Sequence, residues 1–179
     1  MDKSVTGLFP EAQEIGEDGK TVPETILKAA AEAFSLPELD PGSCSPLTLA
    51  YIGDAVFELA VRTVVVREMN GRLKDMNRKA IGAVSARAQS EMVAMMEPLL
   101  TEEEQAVYRR GRNANSPTMA KHASVLEYRR ATGLEALMGY LYLKGENGRI
   151  AELIRAGWPE TAEKAGKKDE PEKGTGGAD

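Results

Sequence analysis

Two carboxylates stand out because their neighbours are apolar. Asp54 sits in AYIGDAVFEL, where Ile52, Ala55, Val56 and Leu59 favour burial. Glu135 sits in TGLEALMGYLYL among Leu134, Leu137, Met138 and Leu141. A carboxylate in such company is costly unless it is paired or binds a metal. Glu58 lies four residues after Asp54, so on a helix these two acids share one face. Two mostly apolar helices that each bring a carboxylate to a shared cleft make a workable magnesium site. Magnesium takes oxygen ligands, keeps several waters and needs only one or two carboxylates plus a substrate phosphate. The plainer alternative is an ion pair for each acid, with Arg62 or Arg129 as the partner.

A second group of residues suits polyanions. In the stretch 105–131, Arg109, Arg110, Arg112, Lys121, Arg129 and Arg130 face Glu127 as the single acid. Arginine and lysine neutralise phosphates, and Asn113, Asn115 and Ser116 offer small donors on a loop that can approach a backbone. Tyr108 and Tyr128 are the only aromatics interleaved with these cations. That favours shape and phosphate recognition of a duplex over base stacking on single strands. In SARAQ (85–89), Arg87 and Gln89 are flanked by small residues, which permit close approach of either another helix or a nucleic-acid backbone. Tyr51, Tyr140 and Tyr142 read as core or interface, and Met92, Met95 and Met96 as core filler.

Composition narrows the classes. The chain has 179 residues and a net charge of -5 at pH 7. That charge is uneven: residues 1–46 carry 3 basic and 9 acidic side chains, 47–156 carry 16 and 13, and 157–179 carry 4 and 6. The acidity lies in the ends, so an acidic whole does not exclude a polyanionic partner for the middle. One cysteine, Cys44, excludes an internal disulfide framework and a multi-thiolate zinc site. One histidine, His122, excludes a HExxH metalloprotease. The first twenty residues hold acids and no apolar core, unlike a signal peptide, and no apolar run reaches membrane-spanning length. A cytoplasmic protein without membrane attachment is the expectation.

The elements that must position these residues are helices. ETILKAAAEAFS (24–35) predicts a short alanine-rich helix after Pro23, followed by a proline-containing linker over 36–46. PLTLAYIGDAVFELAVRTVVVREM (46–69) is apolar on nearly every side, which suits a central buried helix. The stretch 75–100 has Ile81, Val84, Ala88, Met92 and Met95 on one face, with a possible break near Val84. Thr101 with Glu104 forms a capping-box signature for a helix that Gly111 should end. Helices follow over 125–145, with Gly145 as its terminus, and over 147–158. The fold class expected is therefore all-α. Residues 1–44 read as an extension, 45–158 as the folded domain, and 159–179 as a disordered charged tail.

With those residues in view, LAYIGDAVFE resembles the signature segment of the ribonuclease III family, and TGLEALMGYLYL resembles that family's last catalytic motif. VSARAQSE, LTEEEQAVYRRGRNANS and VLEYRRATG extend the likeness to the Mini-ribonuclease III branch. That branch keeps the endonuclease domain and lacks the appended double-stranded-RNA-binding domain. The likeness covers about 45–157, with its motifs in family order. It implies a ribonuclease III helical fold and a homodimer that hydrolyses double-stranded RNA with Mg2+, leaving 5′-phosphate ends. It further implies maturation of the precursor of large-subunit (23S) ribosomal RNA, with room for a ribosomal protein that presents the substrate. Asp54 matches the signature aspartate and Glu135 the glutamate of the last motif, both as catalytic residues and metal ligands. Where larger family members carry a further glutamate and aspartate ligand stand Ala50 and Thr132, a thinner set that Mini-ribonuclease III shares.

With no separate RNA-binding domain, the duplex would be held by Arg87, Gln89, Arg109, Arg110, Arg112, Asn113, Asn115, Ser116, Lys121 and Arg129. The alternative is a non-catalytic dimeric RNA-binding factor for ribosome assembly on the same fold. Asp54 and Glu135 speak against it, since a pure binding module has no reason to bury two acids beside RNA.

Overall fold

The computed structural model describes residues 25–115 and 124–158. Ser116, Lys121 and His122, the first 24 residues and the tail from 159 onward lie outside the described residues. The chain divides into two units, Met1–Asp40 and Pro41–Asp179. In the first unit, helix α1 (Ile26–Ala33) begins at Thr25, whose side-chain oxygen accepts from the Lys28 N–H. None of its residues is buried.

The second unit is all helix among the described residues: α2 (Pro46–Glu68), α3 (Leu73–Val84), α4 (Ala86–Met96), α5 (Glu102–Arg112), α6 (Val125–Leu143) and α7 (Asn147–Gly157), with short 3-10 turns at Pro41–Ser43 and Glu97–Leu99. Each start has a local cause. Ser45 caps α2 through its side chain and Pro46 follows at the first turn, where its missing N–H costs nothing. Ser85 ends α3 in an extended conformation and caps α4, so the predicted break near Val84 falls on a serine able to do both. Pro98 then tightens the chain into the 3-10 turn that closes this pair. Thr101 and Glu104 form the expected capping box on α5, and Ser124 and Glu127 form a second on α6. Lys144 caps the end of α6, and Gly145 follows at φ +80. The Glu146 N–H returns to Leu141 O and the Gly145 N–H to Tyr142 O, the paired bonds of a Schellman stop.

Three expectations change. Met95, read as core filler, is 42% exposed. Gly111 does not end α5; the helix runs on to Arg112. A Cβ at Gly111 would lie 2.6 Å from Ala136 Cβ and 3.0 Å from Gly133 Cα, so this glycine serves close helix packing rather than a stop. The central buried helix is α6, not α2. From Ala131 to Leu141 every α6 residue except Glu135 is buried, and α6 packs against α2, α4, α5 and α7. Helix α2 buries Leu49, Phe57, Val61 and Val65 but leaves Tyr51 84%, Leu59 57% and Val66 64% exposed. Apolar content alone cannot tell a face turned to this chain's core from a face left on its surface.

The core joins Phe57 and Val61 of α2, Leu134, Leu137 and Met138 of α6, Met92 and Met96 of α4 and Leu153 of α7. Each such side chain contributes roughly 1.5–3 kcal/mol when withdrawn from water. No helix among the described residues is long and apolar enough to cross a membrane.

Candidate active site

A very close crossing of α2 and α6 brings the two conspicuous acids to one place. A Cβ at Gly53 would fall 1.7 Å from Glu135 O, and one at Gly139 would fall 2.1 Å from Leu49 O. Helices α2 and α6 therefore meet backbone to backbone, which only glycine permits at both points. Asp54 follows Gly53 in the chain and Glu135 stands one turn before Gly139. The contact that fixes the helix pair thus also fixes the carboxylates.

Both acids line one cleft of about 580 Å³, with Leu47, Tyr51, Tyr128 and the buried Ala50 and Thr132. Ala50 and Thr132, where the resemblance led to an expectation of further acids in larger enzymes, therefore border the same space. Thr132 spends its hydroxyl on Tyr128 O at 3.1 Å. Among the described residues no third acid, histidine or cysteine joins Asp54 and Glu135 in a metal-holding group.

Among the described residues, neither acid has the arginine partner that the plainer alternative requires. Arg62 binds Glu58, with Nη2 at 2.9 Å and Nε at 3.2 Å from Oε2. Arg129 forms no ion pair among the described residues and is exposed. Asp54, expected to be buried, is exposed; partial desolvation against its neighbours still raises its carboxyl above its ordinary value, and nearby Glu58 adds to the rise. Burial pushes Glu135 up to about 7, Asp54 adds to this, and the amide N–H of Gln89 opposes it. Two carboxylates held close, each destabilised as an anion and neither neutralised by a side chain, present a demand for a cation. A magnesium ion, an oxygen-seeking cation content with one or two carboxylates, fits this donor set.

The remaining predicted contacts are distributed differently. Gln89 is 2% exposed and lies against Glu135, with Nε2 3.4 Å from Oε1, rather than on the surface. Arg87 is exposed and donates from Nε to Glu91 at 3.0 Å. Arg109, Arg110 and Arg112 project from the last turn of α5. Arg110 reaches Gly42 O at 3.4 Å, and Arg112 lies 5.8 Å from the centre of the Tyr108 ring. Asn113 and Asn115 follow, both exposed. None of these arginines lines the cleft of the acids. The sequence reading did not single out Gly53 or Gly139, although a glycine inside an apolar helix costs about 1 kcal/mol against alanine and so signals a packing reason.

A separate apolar groove of about 700 Å³ runs between α2 and α7, bordered by Val56, Leu59, Ala60, Ile150, Ile154 and Trp158. It contains neither Asp54 nor Glu135.

The ribonuclease III domain family matches residues 47–146. The Mini-ribonuclease 3 of Thermoanaerobacter sp. (strain X514) is 46% identical over 112 residues, covering 63% of this chain and 79% of the relative. That of Symbiobacterium thermophilum is 44% identical over 117 residues, covering 65% and 90%. Among solved structures, a Fusobacterium nucleatum protein superposes with a TM-score of 0.58 at 30% identity, covering 63% of this chain and 90% of that one.

Proposed function

The chain belongs to the ribonuclease III family and is an endoribonuclease; from that premise we propose that it cuts double-stranded RNA with magnesium held by Asp54 and Glu135. The observation that carries this reading is the meeting of two unneutralised carboxylates in one cleft at the Gly53–Gly139 crossing. Magnesium bound there would supply Lewis acidity, activating water for attack and offsetting charge on the scissile phosphodiester. Asp54, the more exposed acid, offers its oxygens from α2, and the more buried Glu135 offers its own from α6. The products expected are a 5′-phosphate and a 3′-hydroxyl.

The working unit is a homodimer. The exposed apolar face of α2, with Tyr51, Leu59 and Val66, continues into the groove against α7. A two-fold pairing of that face would cover it and place two identical clefts on one duplex, one for each strand. Arg87, Arg109, Arg110, Arg112 and Arg129, with Asn113, Asn115, Ser116 and Lys121, then supply phosphate contacts. The substrate in the cell is the precursor of 23S ribosomal RNA, in the cytoplasm, presented by a ribosomal protein. The names of the Mini-ribonuclease 3 relatives support this branch of the family.

The test is cleavage of an internally labelled RNA duplex at low salt, with magnesium or EDTA. Wild type should cut only with magnesium. Asp54→Asn and Glu135→Gln should each lose at least about a hundredfold in rate while still binding duplex, since even groups that merely orient metal ligands are worth ten- to a hundredfold. Tight duplex binding without cleavage by the wild type, on duplex and on precursor ribosomal RNA alike, would instead make the protein a binding factor.

A further inference from the structure

Helix α4 contributes one side chain to the acids, and that side chain is oddly chosen for a core. Gln89 is 2% exposed and shares a helix face with buried Met92 and Val93. Its amide Nε2 donates to Val84 O at 3.2 Å and to Glu135 Oε1 at 3.4 Å. The other end of the same amide, Oε1, is buried and has no hydrogen-bond partner among the described residues. Packing alone does not explain this residue. Methionine has nearly the same length and would fill the space without a desolvated acceptor, whose burial is costly. What methionine cannot do is donate to a carboxylate.

We propose that Gln89 is the positioning residue for Glu135, tethering one carboxylate oxygen and leaving the other to a cation in the cleft. The inference deepens the reading of Glu135 as a metal ligand and rests on it. A glutamate side chain turns about several bonds, and a ligand must be held near its productive geometry to bind a small, octahedral ion well. The tether is itself anchored. Val84 is the last residue of α3, so its carbonyl lacks an acceptor role inside that helix, and the Gln89 amide takes it up while reaching Glu135. Three helices, α3, α4 and α6, thereby agree on where one carboxylate stands.

The experiment measures Mn2+ binding to the full-length, RNA-free protein by calorimetry, and kcat and KM for duplex RNA in Mg2+. It compares wild type, Gln89→Met, which keeps the packing, Gln89→Asn, which keeps an amide but cannot reach, and Glu135→Gln. Both Gln89 variants should weaken Mn2+ binding and lower kcat by about tenfold or more, with KM for RNA unchanged and kcat partly restored by excess metal. Should either variant fail to fold, the other carries the measurement.

Wild-type Mn2+ affinity and kcat in a folded Gln89 variant would reduce the residue to packing and overturn the proposal. A raised KM with unchanged Mn2+ binding would overturn it in favour of an RNA contact. If Glu135→Gln itself leaves Mn2+ binding intact, the metal-ligand reading fails first. If Glu135→Gln abolishes binding while the Gln89 variants bind normally, only the positioning role is lost.

Discussion

Glu135 stores free energy that the fold alone would not choose to store. Its carboxyl is pushed from 4.5 to about 7, by burial first and by Asp54 second. The folded state therefore holds this proton more tightly than the unfolded chain does. The sign follows directly: stability is complete below about pH 4.5, falls as pH rises toward 7, and above 7 carries the full cost of about 3 kcal/mol. Glu135→Gln removes the charge, so in EDTA it should be more stable than wild type by about that amount at pH 8 and no more stable at pH 4.5. Urea unfolding at the two pH values checks this; equal stability of the two proteins at pH 8 would mean that water reaches the carboxylate more freely than the structure implies. Cation binding should weaken as pH falls through 7, because the proton and the ion compete for the same oxygens.

At the scale of elements, the α2–α6 crossing decides everything near the acids. Gly53→Ala puts a carbon where Glu135 O already stands, at 1.7 Å, and backbone on both sides leaves no side chain to move aside. Overpacking of this kind costs typically 1–3 kcal/mol and more when the backbone itself must shift. The expectation is a loss of about 3 kcal/mol or more in a denaturant titration, with α2 and α6 forced apart. Gly82→Ala, on α3 with nothing within contact of an added Cβ, is the control and should be neutral or slightly stabilising. The helices themselves were legible beforehand, from the Thr101–Glu104 box and the Gly145 stop among other signals, because such signals act within a few residues of chain. Gly111 was misread for the converse reason. Its role is a contact with Gly133 and Ala136, far away in sequence and invisible to local rules.

At the scale of the whole molecule, one feature of the described residues without a use inside one chain is the exposed apolar face of α2. Leu59 stands on it and also borders the groove beside α7. Leu59→Glu should leave the helical content intact, since the side chain is 57% exposed, yet split the proposed dimer into monomers. Sedimentation velocity with circular dichroism makes the comparison. A variant that still sediments as a dimer would place the interface elsewhere. If the dimer is what gives access to both strands, the monomer should also lose paired cuts in duplex RNA.

Sequence by itself determined the helical class, most helix ends, the family resemblance and the two acids worth attention. Each of these depends on residue type, on spacing along the chain, or on the energetic oddity of a carboxylate among leucines. Only the tertiary structure decided that Asp54 and Glu135 share one cleft without an arginine, that α6 rather than α2 is the buried axis, and that Gln89 turns inward to Glu135. Those facts depend on which helix faces meet. That choice is made by shape at Gly53 and Gly139, where backbones separated by more than eighty residues of chain come into contact.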